Sequence, residues 1–122
     1  MLKLIAGPEN ILATKLSGEA GLEDVKTFYE AIDSKLQANK TIGVVIDITE
    51  FEDASRDAVV ADVKNEIGLL GKLGQFHRMA LLTEKRWIAF LAEHLDPIVP
   101  SLKMKIFAPG QTQAAIEWAR QS

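Results

Sequence analysis

Cysteine is absent from this 122-residue chain. That excludes disulfides, thiolate nucleophiles and cysteine-based metal sites together, and it fits a reducing, cytoplasmic setting. Histidine is scarce: His77 and His94 are the only two. Neither has acidic neighbours at metal-ligand spacing, so no metal or other cofactor is expected. No G-x-S-x-G elbow accompanies them, so a hydrolytic triad is the least favoured reading. Basic excess is lacking too. Fourteen Lys and Arg face seventeen Asp and Glu, for a net charge of -3. With no cationic stripe to neutralise a phosphate backbone, nucleic acid is not expected as a partner. No apolar run approaches the roughly 20 residues that span a bilayer, so no integral membrane segment is expected. The opening MLKLIAGPEN lacks the apolar core and cleavage site of a signal peptide. No linker, repeat or low-complexity stretch divides the chain, so one domain over residues 1–122 is expected.

What the chain does have is alternating periodicity. Leu2 to Ile5 reads as a short strand ending at the Gly7-Pro8 turn, and Ile11 to Ser17 as a second strand with unequal faces. The short connection makes them an antiparallel pair. From Leu22 the period becomes helical, with Leu22, Val25, Phe28, Tyr29, Ile32 and Leu36 on one face. Ile42 to Ile48 is a nearly continuous β-branched run, the mark of a strand covered on both faces. A helix is expected from Ser55 to Leu73, a buried strand at Met79–Leu82, and a helix from Lys85 to Leu95 stopped by Pro97. The last strand is expected at Met104–Phe107 and the last helix at Gln111–Arg120, with Pro109 in its first turn. The order β-β-α-β-α-β-α-β-α predicts an α/β fold. Its five-stranded, mixed but mostly parallel sheet would be flanked by four helices.

This pattern resembles the SpoIIAA-like branch of the STAS fold, a group of mostly uncharacterised bacterial proteins. The residues that carry the likeness are Val44-Val45-Ile46-Asp47-Ile48-Thr49 with Phe51, Phe76-His77-Arg78-Met79-Ala80 and Lys85-Arg86-Trp87. Asp96-Pro97 and Ala115-Ile116-Glu117-Trp118 complete it. The resemblance implies a regulatory or protein-binding domain. In STAS antagonists a serine at the start of the helix after the third strand is phosphorylated, within an Asp-Ser-Ser-Gly type sequence. Here the region reads Phe51-Glu52-Asp53-Ala54-Ser55-Arg56-Asp57-Ala58. Counted from Asp47, the acceptor position falls nearer Asp57 than Ser55, and the glycine is missing. This departure speaks against a phosphoswitch.

Ser55 is still the only hydroxyl in that segment, and so the one candidate phosphoacceptor. Its plainer role is to cap the helix that follows. Asp47, Thr49 and Thr83 fall at the carboxyl ends of buried strands, where open α/β sheets collect ligands. Capping and turn formation explain the same residues. Arg86 has the paired N–H fork that grips carboxylates and phosphates, and Trp87 offers a flat apolar anchor. Packing of Trp87 in the core under the Arg86 stem is an equal alternative. The leading expectation is a non-enzymatic protein-interaction domain with an unidentified protein partner and a capacity to dimerise. Its alternative is a carrier of a small, lipid-like apolar ligand, motivated by surplus apolar residues at Val59, Val60, Val63, Phe90 and Leu91.

Overall fold

A computed structural model of the chain describes residues 1–54, 75–84 and 103–121. Leu2–Ile5 (β1) and Ile11–Leu16 (β2) pair antiparallel, with Leu2 opposite Leu16 and Ile5 opposite Ala13. The turn between them closes by a bond from the Ile11 N–H to the Pro8 carbonyl at 3.0 Å. A three-residue strand, Gly18–Ala20 (β3), precedes the helix Leu22–Ala38 (α1). Ile42–Asp47 is β4, Phe51–Ala54 β5, Phe76–Leu82 β6 and Lys103–Phe107 β7. The closing helix, α2, spans Thr112–Arg120.

The main sheet runs β1-β2-β4-β6-β7, and every pair after the first is parallel. It is the expected mixed five-stranded sheet. Beside it lies a two-stranded parallel ladder of β3 and β5, which the sequence did not lead us to expect. Three and four residues are too few to display a period of two, and β5 falls in what reads as a loop. The helices expected over 55–73 and 85–95 lie outside the described residues.

The two faces of the sheet are covered by different helices. On one face, Leu12, Val44, Phe76 and Met79 pack with Tyr29 and Ile32 of α1. On the other, Ile11, Ala13, Val45, Ala80 and Leu82 pack with Ala115, Ile116 and Ala119 of α2. β2 is therefore buried on both sides from Ile11 to Thr14, although its sequence suggests unequal faces. The one hydroxyl this buries, on Thr14, donates to the Val45 carbonyl at 3.2 Å, as an interior polar group must.

Each helix is anchored by side chains reaching backbone groups. At α1, the Asp24 carboxylate accepts the Gly21 N–H at 2.9 Å and the Leu2 N–H at 3.0 Å. One residue thus satisfies an orphan donor at the helix start and fastens β1 to it. α2 starts within one residue of the expected Gln111, but without Pro109 in its first turn. Pro109 and Gly110 do not open the helix. They form a turn in which the Gln111 N–H reaches the Ala108 carbonyl at 3.2 Å and Gly110 has φ 87°. Proline followed by a glycine at positive φ is the signature of a type II turn. The same Pro-Gly pair therefore ends the β7 connection, and Gln111 stands at the N-cap position.

The C-terminal end of α2 is held against the amino edge of the sheet. His77 lies inside β6, not before it, because β6 begins at Phe76. Its Nε2 donates to the Ala119 carbonyl at 2.9 Å, which assigns the ring proton to that nitrogen, since a carbonyl only accepts. Its Nδ1 faces the Thr41 hydroxyl at 3.3 Å. Arg78 Nη1 donates to the Trp118 carbonyl at 3.0 Å, and its guanidinium stacks over the Trp118 ring at 4.8 Å. Cationic and N–H donors at a helix C-terminus complement its exposed carbonyls. Beneath them Gly43 makes the contact possible: a Cβ there would stand 2.4 Å from the Ala119 carbonyl oxygen.

Candidate functional site

The candidate site is the carboxyl edge of the parallel strands. Lys15, Asp47, Leu82 and Phe107 stand in one register row at that edge. Residues opposite one another in a parallel pair share a face, so Lys15 and Asp47 are neighbours on the α2 side. Asp47 is buried, and its Oδ1 accepts the Thr49 N–H at 2.9 Å. This is the side-chain-to-backbone turn that aspartate favours two residues before its partner. It bends the chain off β4 at Ile48, whose N–H still reaches the Leu82 carbonyl at 2.9 Å.

The next residue completes the edge. Glu50 Oε2 meets Lys15 Nζ at 2.6 Å, and the Glu50 carbonyl accepts the Gly18 N–H at 3.0 Å. The Glu50 hydrogen bond and charge hold the Lys15 ammonium above the usual lysine range, and the charge of Asp47 adds to the effect. Partial burial opposes it. Lys15 and Glu50 thus join the end of β2 to the segment between β4 and β5. The register of two strands distant in sequence brings them together, so no local motif announces the pair.

Thr83 follows β6 and is buried at the same edge, with its N–H on the Phe107 carbonyl at 3.1 Å. Asp47 stands opposite Leu82, so Asp47 and Thr83 occupy successive steps of the register, not one row. Asp47, Thr49 and Thr83 therefore do share an edge, and the first two are directly bonded. Ser55, Arg86 and Trp87, also singled out from the sequence, lie outside the described residues, as do the apolar residues that motivated a ligand carrier.

A hydrolytic arrangement of Asp47 with His77 is ruled out by position. His77 sits at the amino end of β6 and Asp47 at the carboxyl end of β4. Five residue steps of parallel strand separate the two levels, roughly 17 Å. Among the described residues, no three His, Cys, Asp or Glu side chains are grouped to hold a metal ion. No described helix is long and apolar enough to cross a membrane.

Known structures share this architecture. An uncharacterised protein from Shewanella loihica PV-4 with a SpoIIAA-like fold matches at a TM-score of 0.72 and 24% identity, over 98% of this chain and 92% of its own. The anti-sigma factor antagonist SpoIIAA, in its unphosphorylated form, matches at a TM-score of 0.61 and 13% identity, over the whole of both chains. At these identities the likeness establishes the fold alone. Comparison with curated proteins gives no match. The family model for SpoIIAA-like proteins matches residues 11–120. With the sheet order and the structural matches agreeing, the chain belongs to the SpoIIAA-like family.

Proposed function

We propose that this protein is a non-enzymatic regulatory domain that docks a protein partner on the carboxyl edge of its sheet. The contact surface would comprise the exposed Thr49 and Glu50, shaped from beneath by the buried Asp47 and Thr83, with Ser55, Arg86 and Trp87 as further candidate contacts. The observation that supports this reading is how the charged groups at the edge are used. Asp47 folds back onto the Thr49 N–H, Lys15 is tied to Glu50, and the Glu50 carbonyl holds Gly18. Their bonds shape a surface, with the Glu50 side chain 61% exposed upon it. A group presented on such a rim sets partner choice and encounter rate more than raw affinity. SpoIIAA, an anti-sigma factor antagonist on the same fold, makes protein regulation the natural class. One domain over residues 1–122, acting in the cytoplasm and able to dimerise, completes the proposal.

The test is quantitative affinity capture from the native host with three baits: wild type, Glu50→Arg, and Glu30→Arg on the exposed side of α1. Any protein recovered by wild type should fall by about tenfold with Glu50→Arg, as expected for reversing a rim charge. It should persist with Glu30→Arg. Equal recovery by all three baits contradicts the assignment of the surface. A Ser55→Asp bait reads the neighbouring hydroxyl: unchanged recovery leaves Ser55 as a helix cap only.

A further inference from the structure

A second surface runs along the lateral edge of the sheet. β7 is the last strand of the sheet, and among the described residues nothing pairs with its outer edge. The Phe107 carbonyl points inward to the Thr83 N–H. Because successive residues of a strand direct their N–H and C=O groups to opposite sides, those of Met104 and Ile106 face the open side. Two donors and two acceptors are thus set out for another strand.

The side chains along this edge are sorted by face. Met104 and Ile106 are half-buried on the α1 side, where Met104 packs against the core. Lys103 and Lys105 lie on the α2 face, where they stand opposite Arg78 and Ala80. Both lysines are exposed. α2 lies over β6, β4 and β2 and leaves them uncovered. Lys105 rests over the Phe107 ring at 5.1 Å, and Arg78 is stacked on Trp118. No carboxylate among the described residues pairs with Lys103, Lys105 or Arg78. In a chain of net charge -3, this is an unbalanced cationic strip.

Lysines on an edge strand discourage pairing with apolar or basic edges. The same charges admit an acidic strand, since specificity is a difference between partners. We infer that the outer edge of β7 accepts an extended acidic segment of another protein as a sixth strand. Its side chains alternate acidic, apolar, acidic. The acidic residues meet Lys103 and Lys105, roughly 7 Å apart on one face. The apolar residue between them covers the half-buried side of Met104. Backbone bonds supply affinity and the alternation supplies selectivity, as in other strand additions.

The inference is independent of the carboxyl-edge surface and has its own test. The probe is a fluorescently labelled nine-residue peptide alternating glutamate and valine, followed by anisotropy. Three other peptides serve as controls: the same residues with the glutamates in one block, a lysine–valine alternation, and the probe N-methylated along one edge. The alternating acidic peptide should bind saturably. All three controls should bind at least about tenfold more weakly, and so should the probe with K103E/K105E protein. Both lysines are exposed, so this variant should retain its fold, and the peptide controls do not depend on it. Equal binding of the blocked or N-methylated peptide would reduce the effect to bulk charge and overturn the inference, as would no binding at all. A self-associated species that dissolves in K103E/K105E would assign the edge to a second copy and also overturn it.

Discussion

Gly43 sits in an otherwise aliphatic strand, yet its lack of a side chain determines where α2 can rest. An added Cβ would meet the Ala119 carbonyl oxygen at 2.4 Å and Ile11 Cδ1 at 2.6 Å. One of these neighbours is backbone, so the clash cannot be relieved by a rotamer change. Gly43→Ala should therefore destabilise the protein by about 1–3 kcal/mol, the usual cost of overpacking. The urea midpoint reads it, with Gly7→Ala as control because nothing lies within 4 Å of that position. Equal midpoints for both variants would mean that α2 does not press on β4. From the sequence alone Gly43 reads merely as a strand residue, since its constraint comes from a helix some 70 positions onward. Asp47, Thr49 and Thr83 were legible because strand ends are visible in an apolar pattern. Lys15 and Glu50 were not, because only the register of β2 on β4 joins them.

At the scale of elements, α2 is a nine-residue helix, short enough to depend on its contacts. His77 and Arg78 bond its last carbonyls, and Ala115, Ile116 and Ala119 bury one side. Replacing Arg78 by Ala removes a charged hydrogen bond and a ring contact, a loss of roughly 1–3 kcal/mol. Amide hydrogen exchange across α2 should accelerate about tenfold or more, while β4 amides keep their protection. Uniform acceleration in both would show that α2 opens only with the whole protein. Element type was readable where the period was long or the burial two-sided, as in α1, β4 and β6. It failed at β3 and β5, which are too short to show a period. It found the start of α2 to within a residue but misassigned Pro109, since Pro109-Gly110 fits a helix start and a type II turn equally until the φ of Gly110 is known.

At the scale of the molecule, the parallel strands β2, β4, β6 and β7 end at a common edge. The ends of β2 and β4 and the bend after β4 bring Lys15, Asp47 and Glu50 to it. Side-chain bonds to the backbone hold that edge, so its shape is set before any partner arrives, which lowers the ordering cost of binding. The amino ends of the two central strands, β4 and β6, seat the C-terminal end of α2. Parallel topology thus divides the protein into a structural end and a presenting end, and the contact surface is assigned to the latter. The most direct measurement is amide chemical-shift mapping of the labelled protein as a captured partner is added. The account predicts that the largest changes fall on residues 47–50 and Thr83, with the outer side of α1 unmoved. Changes centred on α1 or on the His77–Ala119 seat, with 47–50 silent, would contradict it.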